Sequence, residues 1–166
     1  MTEGIHAVVV SGLDLSGFLS LLPPLGEEER GSDHLWPDCN EDQIAIAEAA
    51  GFILATGGLF ALIGEGFAHE ASRHGAALYL CENTDDGEFC AARFNKRRPT
   101  GRVEVSAGDI IEDSMKMFPA DGPDNDDKRY GQINTGEVLL GFMGGECPLK
   151  LDWTYYKTPS VRFDDD

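Results

Sequence analysis

The carboxylates carry the clearest chemistry in this chain. Glu27, Glu28 and Glu29 form one run, Asp33 and Asp38 follow closely, and Asp124, Asp126 and Asp127 form a second run. They make a field of fixed negative charge. Carboxylates in rows on a rigid body imitate a phosphate backbone and fit the cationic groove of a nucleic-acid-binding protein or toxin. Trp36 lies between Asp33 and Asp38, and tryptophan is enriched where interfaces are anchored. Together these residues are the expected partner-binding set.

Metal chemistry is not expected. His69-Glu70-Ala71-Ser72-Arg73-His74 looks like a zinc-protease helix, but its histidines are five apart instead of four. On a helix that separation turns the rings about 140° away from each other, so they do not converge on one tetrahedral ion. Asp121 to Asp127 has the density of a calcium loop. It lacks the glycine at the sixth place, and Glu137 comes too late to close the site. His34, Cys39, Cys81 and Cys90 have none of the tight spacing of a zinc knuckle. Ser11 stands in V-S-G and not in a nucleophile elbow. Gly101-Arg102 lacks the glycines of a phosphate-binding loop. The expectation is a protein without cofactor or metal, and more a binding protein than an enzyme.

Gly57-Gly58 is the best small-molecule feature. A glycine turn feeding a helix start presents free N–H groups to an anion, and Glu65 and Glu70 are nearby carboxylates. Residues 43–83 read as helix, strand, Gly-Gly, helix, strand. In that order they resemble the lysine-decarboxylase-like nucleotide hydrolases. The family's later PGGxGTxxE motif, which carries its catalytic glutamate, is missing from this chain. The alternative function is therefore a small α/β nucleotide- or phosphate-ligand-binding enzyme using the Gly57-Gly58 turn, with no hydrolytic activity inferred from the resemblance itself.

The charge as a whole supports the first reading. Thirty acids against thirteen bases leave −17, the wrong sign for nucleic acid and anionic membranes. Residues 1–42 carry −8 and residues 119–166 carry −5, around a middle near neutrality. Hydrophobic residues make up 42%, enough for a packed body where an acidic disordered tail would fall short. Arg93, Lys96, Arg97, Arg98 and Arg102 are the one basic cluster, expected to balance acids internally. Met1 to His6 lacks a basic region and Ala7–Val10 is too short for a signal sequence. A reduced, cytoplasmic protein is expected, with Cys81 and Cys90 flanking a hairpin turn. The apolar run Ile44–Ile63 is long enough to span a bilayer. Glu48, three glycines and the lack of flanking bases oppose that.

These residues need elements to place them. Ile5–Val10 reads as a strand, and Asp14 caps a helix over 15–22 that Pro23-Pro24 stops. Residues 26–42 read as a long acidic surface loop. A helix over 42–50, a strand over 52–56, a helix over 59–74 and a strand over 76–81 compose a βαβ crossover with parallel strands. One long broken helix over 43–74 competes with it. Residues 88–94 pair with 76–82 through a turn at Thr84-Asp85-Asp86-Gly87, and Arg102–Val105 follows as a strand. A helix over 107–118, a second acidic loop over 119–131 and strands over 137–143, 149–156 and 160–163 complete the chain. The expected fold is mixed α+β: an N-terminal strand and a βαβ-like passage, then a mainly antiparallel C-terminal sheet with one helix, all in one domain over 1–166. The expected function is a small acidic inhibitor of anti-defence or immunity type.

Overall fold

A computed structural model describes residues 5–26, 28–34, 37, 39, 42–49, 51–83, 88–106, 109–114, 142 and 150–158. In chain order the elements are β1 (Ile5–Ser11), α1 (Leu15–Ser20), β2 (Glu28–His34), β3 (Gln43–Ala49) and β4 (Phe52–Gly57). Then come α2 (Leu59–Ala71) with a 3-10 turn at Ser72–His74, β5 (Ala76–Asn83), β6 (Glu88–Asn95), β7 (Arg98–Ser106), β8 (Asp109–Asp113) and β9 (Lys150–Lys157). The strands join in one nine-stranded sheet, ordered β2-β9-β3-β4-β1-β5-β6-β7-β8. Every neighbouring pair is antiparallel. The fold is α+β, mostly strand, with one main helix.

Both faces of the central sheet are dry. Val8, Val10, Ile44, Ile46, Ile53, Ala77 and Tyr79 pack on one face beneath Phe18 of α1 and Phe60 and Phe67 of α2. Those rings interlock edge to face, with centroids 5.1 Å apart for Phe18–Phe67 and 5.6 Å for Phe60–Phe67, a geometry aromatic quadrupoles favour. The opposite face gathers Ala7, Val9, Leu54, Leu78, Leu80, Phe89, Val103, Val105 and Trp153. Burial on two sides removes the polar half of the usual alternation. That is why β1, β4 and β5 read as unbroken apolar runs.

Several expectations are met. Asp14 caps α1, accepting a 2.7 Å hydrogen bond from the Gly17 N–H. The β1, β4, α2, β5, β7 and β9 segments lie where expected, and β6 pairs with β5 from Ala76↔Asn95 to Asn83↔Glu88. The strands expected over 137–143, apart from Phe142, and over 160–163, with the loop over 119–131, lie outside the described residues.

Four expectations are corrected. Residues 43–49 form strand β3 and not a helix. Alanine, glutamine and glutamate favour helix in isolation, but Ile44 and Ile46 alternate with Ala45 and Ala47, and each pair meets a different core. The broken-helix reading of 43–74 falls with it. Residues 28–34, read as loop, form β2 against β9. Residues 109–113, read as helix, form β8 against β7. The crossover is altered too. β4 and β5 both run antiparallel to β1, so they do point the same way with α2 between them in sequence. But β1 occupies the slot between them, and no parallel pair forms. Among the described residues no helix is long and apolar enough to cross a membrane.

Candidate partner-binding surface

The expected binding residues divide by what the sheet does with them. Glu28, Glu29 and Asp33 lie on β2, the end strand of the sheet among the described residues. Glu27, Trp36, Asp38, Asp124, Asp126 and Asp127 lie outside the described residues. The strand sets a spacing that a loop would not. At about 3.4 Å per residue, Glu29 and Asp33 stand roughly 14 Å apart along it. Register fixes them further: Glu29 is opposite Tyr155, Gly31 opposite Trp153 and Asp33 opposite Leu151. Trp153 is fully buried while Glu29, Arg30 and Gly31 are exposed. A strand exposed at Glu29, Arg30 and Gly31 therefore lies beside one whose Trp153 is buried.

Of a second carboxylate group, the sequence points only to Glu65. Glu65 of α2, Glu104 of β7 and Glu112 of β8 surround Arg102. The Glu65 carboxylate accepts a hydrogen bond from the Arg102 guanidinium. Glu104 lies 3.5 Å and Glu112 3.7 Å from other nitrogens of the same group. One cation thus serves three anions on three elements and ties α2 to the sheet. Arg97 makes a second link to α2 from the β6–β7 turn, donating to Glu70 at 2.7 Å. Its backbone N–H meets Ser72 Oγ at 2.9 Å, and the Lys96 N–H meets the Gly75 carbonyl at 2.9 Å. These bonds hold Lys96 and Arg97 at positive φ, 50° and 67°. The basic cluster is partly neutralised by Glu65, Glu70, Glu104 and Glu112.

A row of titratable groups crosses the helix-bearing face beside Arg102. His6 is opposite Cys81, Cys81 opposite Cys90, Cys90 opposite Glu104, and Glu104 opposite Glu112. The hairpin pairing of the two cysteines is as their positions suggested, and both are free thiols. Burial pushes the Cys90 thiol up to about 12, against the pull of Arg102, and raises Cys81 as well. Thiols so protonated make poor nucleophiles. Burial also raises the Tyr79 phenol and lowers His6, and His6 Nδ1 is buried with no hydrogen-bond partner among the described residues.

No metal constellation emerges among the described residues. Cys39 packs with the core on the opposite face from Cys81 and Cys90, and His34 lies on β2, so the four loosely spaced residues do not converge. His69 leans its ring edge-on to Phe94 at 5.5 Å, and its Nδ1 lies 3.4 Å from Glu70.

Gly57 and Gly58 have separate roles. Gly57 sits at φ 142°, where a Cβ would come 2.7 Å from the Gln43 carbonyl oxygen. Its lack of a side chain lets β3 and β4 close at their ends. Gly58 has ordinary helical angles, φ −62° and ψ −28°, and precedes α2 without a side-chain cap. Two clefts among the described residues lie elsewhere. One, of about 370 Å³, is lined by Leu13, Glu48, Gly51 and Phe52 at the far end of β4. The other, of about 80 Å³, lies beside Glu48, Asp152 and Tyr156. The resemblance of residues 43–83 to the nucleotide hydrolases also loses its first helix, which is β3. No protein-family model, no curated protein and no solved structure matches this chain.

Proposed function

We propose that this chain is a small acidic binding protein that blocks a cationic partner by offering carboxylates where the partner expects phosphates. The partner is a nucleic-acid-binding effector or a toxin, and the setting is cytoplasmic, in the manner of anti-defence and immunity proteins. One observation carries the reading: three of the acids behind the net charge of −17, Glu28, Glu29 and Asp33, lie on a strand that ends the sheet among the described residues. Charge fixed on a rigid strand loses little entropy when it meets a groove. It also steers encounter through long-range attraction. A phosphate ligand at Gly57-Gly58 gains no support, because backbone packing against Gln43 already accounts for Gly57.

The test is affinity capture from the native host at about 50 mM and about 500 mM salt, concentrations between which exposed charge pairs become screened. The charge-reversed variant Glu27→Lys/Glu28→Lys/Glu29→Lys is run in parallel. A cationic protein should be retained at low salt, lost at high salt, and held about tenfold or more weakly by the variant. Retention that ignores both salt and charge reversal refutes the reading.

A further inference from the structure

Strand β2 is more than a carrier of acids. Its seven residues, Glu28–His34, pair without a break to β9 on one side. Among the described residues no strand pairs with its other side. In an antiparallel ladder alternate residues turn their N–H and C=O groups away from the neighbour. An end strand thus presents a row of backbone donors and acceptors, a template for one more strand. Glu29, Arg30 and Gly31 at its centre are exposed. The opposite end of the sheet differs. β8 has five residues, its register against β7 shifts at Glu104/Val105, and Glu112 is engaged with Arg102.

Charge decides which strand can add. β2 holds Glu28, Glu29 and Asp33 against a single base, Arg30. Charged side chains on an edge deter chance pairing, but charges of mainly one sign deter selectively. A second copy pairing antiparallel about Gly31 would set Glu29 against Asp33, like against like, which is destabilising across strands. An apolar strand would gain nothing from the carboxylates. A strand bearing lysine or arginine at alternate positions gains ion pairs beside the backbone bonds.

We propose that the partner docks by strand addition: an extended, lysine- or arginine-bearing segment of it pairs with the edge of β2 that is unpaired among the described residues. The inference rests on the cationic-partner reading and adds a mode to it. Charge supplies attraction, and the backbone supplies register and orientation.

Two synthetic peptides of equal charge separate these contributions. One alternates lysine with threonine over eight residues and can extend as a strand. The other alternates lysine with proline, which has no N–H to donate and interrupts a ladder. Binding of each to the full chain is measured calorimetrically at low salt, and amide hydrogen exchange is followed across the sheet. The lysine–threonine peptide should bind about tenfold or more tightly than the lysine–proline peptide, since proline removes backbone donors from the ladder. It should also slow exchange at alternate amides of 28–34 alone. Glu28→Lys/Glu29→Lys should weaken it. Equal binding of the two peptides overturns strand addition and leaves charge attraction standing. Protection at 109–113 in place of 28–34 overturns the assignment to β2. Binding of neither peptide overturns the inference and takes support from the cationic-partner reading as well.

Discussion

His6 is the residue whose surroundings fit it least. Its Nδ1 is buried with no partner among the described residues, and burial lowers its pKa below the usual 6.5. The folded chain therefore holds the neutral ring, while the unfolded chain takes up a proton near 6.5. Its contribution to stability is full above that value and is lost as pH falls below it toward the lowered folded pKa. Carboxylates titrate in the same acid range, so the comparison must be with a variant. His6→Leu removes both the orphaned nitrogen and the proton linkage. The expected outcome is a variant more stable than the parent, by a margin that widens as pH drops from about 7 to about 5. Melting curves across that range check it. A margin that does not change with pH would show that His6 is not held neutral. The sequence gives little warning of such a site, since His6 precedes an ordinary apolar run and its burial depends on strands far along the chain.

Helix α2 carries two glycines with opposite roles. A Cβ at Gly64 would collide with the Tyr79 ring, whereas a Cβ at Gly66 would meet nothing within 4 Å. Gly64→Ala should cost about 1–3 kcal/mol by overpacking. Gly66→Ala should stabilise by about 0.5–1 kcal/mol, because alanine restricts the unfolded chain and favours helix. Denaturant titration of the two variants checks the pair, and equal effects would contradict the packing described. Elements of this kind were legible where local signals agree with tertiary ones. Asp14 announced α1, Gly75 closed the α2 region, and the turn after Asn83 paired β5 with β6. They were illegible where context overrides propensity. The alanine-rich β3 reads as helix because only the two facing cores reveal that alternate residues belong to different sides. Strands dry on both faces also mimic the buried strands of a parallel sheet, which is how β4, α2 and β5 came to suggest a simple crossover. At the binding surface, composition revealed the acids of 27–38. The strand that lines up Glu28, Glu29 and Asp33 stayed hidden, because a polar edge strand has almost no apolar pattern. The ring around Arg102 joins residues from three elements, and no spacing in the sequence points to it.

At the scale of the molecule the net charge of −17 is a load on the fold as well as an instrument of recognition. Like charges gathered on a compact body repel one another more than on an expanded chain. Added salt should therefore raise the melting temperature, by a few degrees between about 20 mM and about 300 mM sodium chloride, as screening shortens the range of that repulsion. The same addition should weaken a complex held by opposite charge. Salt would then move stability and binding in opposite directions, and calorimetry of the free chain over the same series checks the first half. A melting temperature that falls with salt would mean that internal pairs such as Arg102 with its three glutamates outweigh the general repulsion.

The position of β1 has a consequence for synthesis. The strand lies between β4 and β5 and pairs with both, yet it precedes them in the chain. About 70 residues separate Ser11 from the end of β5 at Asn83. At roughly 5–20 residues per second, the ribosome takes about 4–14 s to deliver them. Through that interval the apolar run Ala7–Val10 has emerged with only part of its binding slot made. The newborn chain must keep its most hydrophobic strand from other company until the place for it exists.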